Sequence, residues 1–399
     1  MELENFYRNI FTFLENHLNG KYWLWKLIFT AVFISIFLAF PSYTLLVEHL
    51  KPNGVKLDAW LFIHNQAVDL LNPKDYSVGI RREAMVFRWV LPALYFLAGH
   101  RIWLVVLFQG FLAVLFLYLI GRISFQIFAS KSKTALIVLA ISNIFVGTWG
   151  FSDIHGYGDG IAYFFLLLAI ISSNPVIIFA SILVGCFTDE RAVIAGGYVI
   201  IFWTVQKCFE TNQFDFKTVL RSLFTNRSQY VWYAWFVYGV IRLYVKFNYF
   251  QNHIYSKVGE PVMLKITHRA GIGSSIWSNF EGTWLILLAG MMTLILLKRN
   301  WLLFVFIAGF AILLTTGLFV HDIDRAYGYG FPFILSSLVI LRYTATDRLV
   351  SLLLFFTALI CITQPQVFTM GYNQIIWAEP LPVKILTFLD RKFHWGFFM

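Results

Sequence analysis

The chain alternates long apolar stretches with short polar ones over most of its length. An α-helix needs about 20 apolar residues to cross the hydrocarbon core of a bilayer. On that scale the pattern predicts an all-α polytopic integral membrane protein with about 11 transmembrane helices, within a range of about 10 to 13. The predicted spans are residues 23–47, 102–121, 134–150, 159–173, 175–188, 192–206, 228–247, 281–297, 300–320, 328–341 and 348–363.

The polar stretches divide the chain into parts. Residues 1–22 predict a cytoplasmic amphipathic segment, and residues 23–363 predict the transmembrane bundle. The long polar loop 48–101 is expected to be an amphipathic first loop outside the cytoplasm, and its apolar stretch 85–98 is a candidate for a further short span. Residues 364–399 predict a tail that lies outside the cytoplasm or at the membrane interface.

The short loops predict the orientation. Short cytoplasmic loops of membrane proteins carry an excess of Lys and Arg. With the N-terminus in the cytoplasm, the inside loops would be 122–133, 207–227, 298–299 and 342–348, and each contains basic residues. The expected location is the bacterial inner membrane, with the long polar loops of the other face outside the cytoplasm.

Composition agrees with the membrane assignment and argues against other classes. The chain is 59% hydrophobic and 13% charged, whereas soluble domains carry roughly 25% charged residues. The net charge is +10, but no basic run or base-stacking module accompanies it, so no nucleic-acid partner is expected. Lys and Arg beside apolar spans instead set topology and contact anionic membrane lipids. The three cysteines are scattered and predict no disulfide or metal site.

Acidic residues concentrate at several positions that the predicted topology places on the outside face. Ionisable groups at a bilayer edge cost free energy unless they are paired or functional. We therefore expect a polar functional site on that face. Its candidate members are Asp58, Asp153, His155, Asp159, Asp189, Glu190, Arg191, His321, Asp322, Asp324 and Arg325.

Several of these residues also have a structural interpretation. Glu190 and Arg191 would pair with each other to satisfy a short hairpin between two spans. His155 would be an interfacial hydrogen-bonding residue. Arg82 and Arg88 in the first loop would serve either as interfacial anchors or as phosphate-binding groups, and the sequence leaves both alternatives open.

A divalent cation is a candidate cofactor. His321 and Asp322, together with Asp58, supply nitrogen and oxygen ligands of the kind that bind Mg²⁺ or Mn²⁺. Their spacing matches no named metal motif. The metal requirement therefore stays open.

Together these features resemble the GT-C class of polytopic glycosyltransferases, over residues 23–340. The resemblance lies in layout and in short patterns. These are an acid in the first outside loop (Asp58 in residues 54–60), an Arg leading into Leu-Pro (Arg88 in 87–92), an acid opening the fourth span (Asp159), a basic residue at the tip of a hairpin (Arg191) and an Arg ahead of a Pro-containing span (Arg325). The first loop lacks the adjacent acidic pair that many members of the class have.

The resemblance implies a GT-C-like bundle that moves a hexosyl or pentosyl group from a polyprenyl-phosphate-linked donor to a glycan or lipid-linked acceptor, outside the cytoplasm. Asp58 would be the general base, because the acceptor hydroxyl must lose its proton. The donor phosphate would be bound by Arg191, Arg325, Arg88 and Arg82, since a guanidinium donates two parallel hydrogen bonds and stays charged. Residues that would orient the acceptor or those arginines are Asp153, His155, Asp159, Asp189, Glu190, His321, Asp322 and Asp324.

Three other classes are compatible with the sequence. A polysaccharide polymerase or ligase of the O-antigen type also uses lipid-linked sugars, but typically depends on one large outside loop. A secondary transporter would have repeated halves and charged residues near the middle of the membrane beside broken helices, whereas the acids here lie at span ends. An integral acyltransferase would need a catalytic histidine within the bilayer, and His155 and His321 both fall at its edge.

Overall fold

A computed structural model describes residues 2–71, 85–249, 271–317, 320, 322–370 and 374–397. Within these residues the regular structure is helical except for one antiparallel β-hairpin. The helices of the first half are α1 Glu2–His17, α2 Trp23–Leu38, α3 Tyr43–His49, α4 Asp58–Val68, α5 Val90–Leu97, α6 Ile102–Phe128, α7 Lys131–Ser142, α8 Phe145–Ser152, α9 Asp159–Ile171 and α10 Pro175–Thr188.

The second half continues in the same manner and ends with the hairpin and an amphipathic helix. In the hairpin, Val367 pairs with Trp377 and Met370 with Gln374. The elements are α11 Arg191–Thr211, α12 Phe216–Phe224, α13 Ser228–Tyr249, α14 Gly271–Phe280, α15 Thr283–Leu296, α16 Asn300–Gly317, α17 Ile323–Gly328, α18 Phe331–Thr344, α19 Asp347–Thr363, β1 Val367–Met370, β2 Gln374–Trp377 and α20 Leu381–Phe393.

Among the described residues, three helices are long and apolar enough to cross a membrane, namely α6, α11 and α16. Up to six spans result if each bent pair counts as one, with bends of 75° between α2 and α3, 58° between α7 and α8, and 88° between Ile272–Phe280 and α15. These helices are consistent with an integral membrane protein. The predicted count of about 11 spans is not confirmed, because helices such as α9 and α10 have 13 and 14 residues, fewer than the about 20 that a straight span needs.

The breaks have local causes. Pro41 lies between α2 and α3 and lacks the N–H that a continuous helix needs, so the predicted span 23–47 is interrupted. The apolar stretch 85–98 contains the eight-residue helix α5, which is too short to be the further span considered from the sequence. The predicted span 328–341 begins at the last residue of the short helix α17, and most of it lies in α18.

The centre of the bundle is formed by α9, α11 and α18. Helix α9 packs against α6, α10 and α11, and α18 packs against α11 and α15. Helix α8 crosses α9 at two glycines, so closely that a Cβ atom added to Gly160 would lie 2.8 Å from the Cα atom of Gly150. Small residues at such crossings let helix backbones approach each other. The crossing places Trp149 of α8 beside Asp159 of α9.

The start of α7 is held by two distant parts of the chain. Glu15 of α1 accepts hydrogen bonds from the backbone N–H of Ser132 (2.9 Å) and from its hydroxyl (2.8 Å). A carboxylate at this position satisfies a free N–H at the helix N-terminus and interacts favourably with the helix dipole. Lys133 forms an ion pair with Asp347, the first residue of α19.

Gly160→Ala should destabilise the fold, because the added methyl group overlaps the backbone of α8. Overpacking of this kind costs about 1–3 kcal/mol. Gly239→Ala is the matched control, since the same methyl group on α13 meets no atom within 4 Å, and the change favours a helix by about 0.5–1 kcal/mol. Thermal unfolding in detergent should therefore give a lower midpoint for the first variant and an equal or higher one for the second. A lower midpoint for both would contradict the close crossing.

Candidate functional site

Seven charged residues from four parts of the chain meet at one end of the bundle. We call this set the charged network. Its members lie at the start of α9, between α10 and α11, and at the start of α17. Arg88, which precedes α5, is also a member. The members are Arg88, Asp159, Asp189, Glu190, Arg191, Asp322 and Arg325. All seven were candidate site residues in the sequence.

Asp159 is the deepest carboxylate of the charged network and has no solvent exposure. Its Oδ2 atom accepts hydrogen bonds from Arg325 Nε and from the indole of Trp149 (3.2 Å). Its Oδ1 atom accepts a hydrogen bond from the Tyr329 hydroxyl at 3.0 Å and lies 3.5 Å from Arg191 Nη2. Both oxygens are therefore occupied by donors from other helices, as an ionised buried carboxylate requires.

Asp189 interacts with three guanidinium groups. Arg191 donates from Nε (2.8 Å) and Nη2 (2.7 Å), and its backbone N–H donates at 2.9 Å. Arg88 Nη2 lies 3.1 Å away and Arg325 Nη2 lies 3.4 Å away. Burial alone would raise the pKa of Asp189, but Arg191 and Arg88 outweigh it and lower the pKa below its ordinary value. Asp189 is thus ionised at neutral pH.

Arg88 and Glu190 form a bidentate pair at the edge of the charged network. Arg88 donates from Nε to Glu190 Oε2 (2.9 Å) and from Nη2 to Glu190 Oε1 (2.8 Å). The Glu190 side chain is 31% exposed, whereas that of Asp189 is fully buried. Burial lowers the pKa of Arg88, but Asp189 and Glu190 raise it by more, so the arginine stays charged. Glu190 pairs with Arg88, and not with Arg191 as the hairpin interpretation held.

Arg325 connects the buried part of the charged network with a second exposed edge. Its Nη1 atom donates to Asp322 Oδ2 at 2.9 Å, and the Asp322 side chain is 29% exposed. Its guanidinium carbon lies 3.8 Å from the ring centroid of Tyr157. A cation over an aromatic face is stabilised by the electron density of the ring. Arg325 is therefore held by three carboxylates, those of Asp159, Asp189 and Asp322, and by an aromatic ring.

Asp153 lies beside the charged network but serves the loop before α9. Its carboxylate accepts hydrogen bonds from the backbone N–H groups of Gly158 (2.7 Å) and Tyr157 (3.3 Å). Burial raises the pKa of Asp153, and the nearby charge of Asp159 raises it further. A raised pKa means that ionised Asp153 is disfavoured in the folded state. These contacts indicate that Asp153 orients the loop. Among the described residues, no guanidinium group lies within hydrogen-bond distance of its carboxylate.

Asp324 and His155 are two further candidate residues from the sequence. The Asp324 carboxylate accepts hydrogen bonds from Ser278 Oγ (3.2 Å) and Asn279 Nδ2 (3.0 Å). Asp324 thus connects α17 to α14. The ring of His155 lies 5.9 Å from that of Tyr157, so His155 is near the edge of the site.

Asp58 is the first residue of α4, and its helix packs on the loop that precedes α9. Trp60 donates a hydrogen bond from its indole N–H to the carbonyl of Ile154 at 2.7 Å. A Cβ atom added to Gly156 would lie 2.9 Å from the Trp60 ring. The start of α4 therefore adjoins residues 153–158. The side chain of Asp58 lies outside what the structure describes.

The metal and phosphate hypotheses are only partly covered by the described residues. Arg82 and His321 lie outside them. Of the candidate metal ligands Asp58, His321 and Asp322, only the side chain of Asp322 is described. Within the described part of the chain, no group of three His, Cys, Asp or Glu side chains is placed to hold a metal ion.

The sequence analysis missed four residues that surround the charged network. Trp149, Tyr157 and Tyr329 contact its members directly. Arg242 of α13 contacts Phe87 next to Arg88, with its guanidinium carbon 4.5 Å from the ring centroid. An available signal was the position of Arg242 inside the predicted span 228–247, because ionisable residues within apolar spans mark functional sites. Trp149, Tyr157 and Tyr329 could not be distinguished in the sequence, because aromatic residues make up 19% of the chain.

Two cavities lie away from the charged network. One, of about 390 Å³, is lined by α1 and by the first residues of α19. The other, of about 230 Å³, is lined by residues that include Glu210, near the opposite end of α11 from Arg191. At the charged network the guanidinium groups are already occupied by carboxylates, so an anionic ligand there must replace one of them.

Asp189→Asn should strongly destabilise the protein, because it leaves buried Arg191 and Arg88 without their shared charge partner. Breaking a buried ion pair costs about 3–5 kcal/mol. The folded pKa of Asp189 lies below the unfolded value of about 3.9, so its stabilising effect is fully present at pH 7 and is lost as the pH falls through the folded pKa.

Asp153→Asn is the matched control, because its raised pKa makes the neutral side chain less costly at pH 7. Thermal unfolding at pH 7 should show a much larger loss for the Asp189 variant than for the Asp153 variant. Equal losses would contradict the assignment of Asp189 as the shared partner of the arginines.

Comparisons with known proteins return no relative. The chain matches no protein-family model, no curated protein and no solved structure. The function is therefore inferred from the residues of the charged network and from their surroundings.

Proposed function

We propose that the protein is a membrane glycosyltransferase of the GT-C class. It transfers a sugar from a polyprenyl-phosphate-linked donor to a glycan or lipid-linked acceptor. The observation that carries the proposal is the charged network, in which Arg88, Asp159, Asp189 and Arg325 come from separate segments and meet at one end of an apolar helical bundle. A bundle that needed only stability would gain little from burying so many charges.

The proposed reaction uses a base and a cationic phosphate site. Asp58 takes the proton of the acceptor hydroxyl, and the acceptor oxygen forms a bond to the anomeric carbon of the donor sugar. The bond between that carbon and the phosphate oxygen breaks, and its electron pair leaves on the lipid phosphate. A guanidinium group stabilises the negative charge on the departing phosphate. The packing of Trp60 on Ile154 supports this division of roles, since it brings the start of α4 to the loop beside the charged network.

The membrane arrangement belongs to the same proposal. The bundle would have about 11 spans, as the apolar stretches of the sequence predict, in a bacterial inner membrane, with the charged network outside the cytoplasm. The lipid tail of the donor would contact the apolar helices that face the bilayer. A divalent cation remains a candidate cofactor, with Asp58, His321 and Asp322 as its candidate ligands.

The decisive experiment is transfer of a radiolabelled sugar from a polyprenyl-phosphate sugar to an acceptor extract. Asp58→Asn should reduce transfer by about 100-fold or more, because a positioned general base contributes that much. Asp69→Asn, at the opposite end of the same helix, is the control and should retain transfer. Unchanged transfer by the Asp58 variant would reject this residue as the base. Loss of transfer in EDTA would assign a role to a divalent cation.

A secondary transporter is a second candidate, favoured by one observation. Glu281 lies at the 88° break between α14 and α15 and is almost fully buried. Its Oε1 atom accepts a hydrogen bond from Gln366 at 3.0 Å, and its Oε2 atom has no hydrogen-bond partner among the described residues. Gln366 also donates to the carbonyl of Asn143, at the break between α7 and α8. Ionisable groups beside broken helices are typical of ion-coupled transporters.

Glu281→Gln separates the two candidates. In proteoliposomes loaded with a pH indicator, we expect no proton flux that depends on Glu281, and we expect sugar transfer by the variant to match the wild type. A potential-driven flux in the wild type that Glu281→Gln abolishes would favour transport. Asp347→Asn, which changes an exposed carboxylate elsewhere, controls for the loss of a charge.

A further inference from the structure

Arg242 differs from the arginines of the charged network in its partners. It donates from Nη1 to the Tyr238 hydroxyl at 2.9 Å and lies over the rings of Phe87 and Tyr238. Within the described part of the chain it forms no ion pair with a carboxylate. It is partly exposed. Among the described residues, Arg242 is thus a cation near the site that has no carboxylate as a direct partner.

Arg242 and Arg88 belong to one local structure. Phe87, which Arg242 covers, is the residue before Arg88. Arg88 binds Glu190, and Arg242 donates to the Tyr238 hydroxyl. The two arginines are therefore connected through Phe87, Arg242 from α13 and Arg88 from the segment before α5.

Glu190 is suited to leave this position. Its side chain is 31% exposed, so it regains water when it moves away, whereas Asp189 and Asp159 have no exposure and are held by several donors. Its bidentate contact with Arg88 has the geometry that a phosphate also adopts with a guanidinium. When Glu190 moves, Arg88 keeps its contact with Asp189.

We propose that Arg88 and Arg242 form a binding site for a lipid-borne phosphate, and that Glu190 occupies this site until the phosphate displaces it. The ligand is the phosphate of the lipid-linked donor, so this proposal rests on the proposed function. It assigns phosphate binding to Arg88 and Arg242 in preference to Arg191 and Arg325. Those two arginines each contact both buried carboxylates, Asp159 and Asp189. Arg88 contacts Asp189 and otherwise binds the partly exposed Glu190, so a phosphate needs to displace fewer buried contacts there.

The surface of α13 is suited to contact the tail of a lipid that carries the phosphate. The outer side of this helix exposes large apolar residues, which include Phe236, Val240, Leu243 and Phe247. The other side is buried against α10 and α11. Arg242 lies one residue before Leu243, at the boundary between the two sides. A lipid tail along the exposed side would thus place its phosphate beside Arg242.

The test measures binding and does not depend on sugar transfer. Purified protein in detergent is titrated with farnesyl phosphate, a short isoprenoid phosphate, and the dissociation constant is determined. Glu190→Gln should bind it roughly tenfold more tightly, because the neutral amide competes less well for Arg88. Arg242→Gln should bind it roughly tenfold more weakly, because a charged hydrogen bond is lost.

Matched variants separate the site from general effects of charge. Glu210→Gln removes an exposed carboxylate from the other end of α11, and Lys246→Gln removes an exposed cation one turn after Arg242. Both should leave the dissociation constant unchanged. Farnesol, which has no phosphate, should bind all variants weakly and equally.

The outcomes are distinct. Unchanged binding by both Glu190→Gln and Arg242→Gln, or equal effects in the control variants, would overturn the site. Titration with phosphatidic acid distinguishes an isoprenoid phosphate from an ordinary lipid headgroup. Equal preference for the two lipids would contradict the donor as ligand, although the phosphate site would stand. If the binding results hold and no sugar is transferred from any donor, the proposed function fails while the site remains.

Discussion

The structure depends on the attraction between one buried carboxylate, Asp189, and the three guanidinium groups around it. Each of these arginines comes from a different segment, so the contacts of Asp189 join α11, α17 and the segment before α5 at a single point. Taking these charges out of water is costly, and their mutual attraction repays the cost only with several well-aligned hydrogen bonds. The observed geometry supplies them. The same contacts fix where the exposed acids Glu190 and Asp322 can lie.

The sequence predicted the helical class and the residues that gather at one end of the bundle, for identifiable reasons. Apolar stretches placed most helices close to their observed bounds, as with α10 and α13. Acids at span ends indicated the shared face, because ionisable groups there need partners. The partners themselves were not predictable. Glu190 binds Arg88 across the bundle, and not its neighbour Arg191, because Asp189 already occupies the Arg191 guanidinium. Such choices depend on three-dimensional placement.

The helix count and the aromatic contacts were beyond the sequence for a different reason. Hydropathy detects an apolar stretch but not a bend within it. The turn at Pro41 was therefore included in a continuous span, and the break before Thr283 was missed. Aromatic residues make up 19% of the chain, and this abundance conceals the few that contact charges. Tyr157 and Tyr329 stand out only because Arg325 and Asp159 lie against them.

The attachment of α1 to α7 has a consequence for the order of assembly. Glu15 binds the turn at Ser132, and Lys133 in the same turn binds Asp347. During synthesis the first contact can form only after the chain has passed residue 132, and the second must wait until α19 has emerged. The contact between α1 and α7 is therefore absent while the first spans insert. The turn at the start of α7 is joined to the beginning of the chain early in synthesis and to its last third near the end.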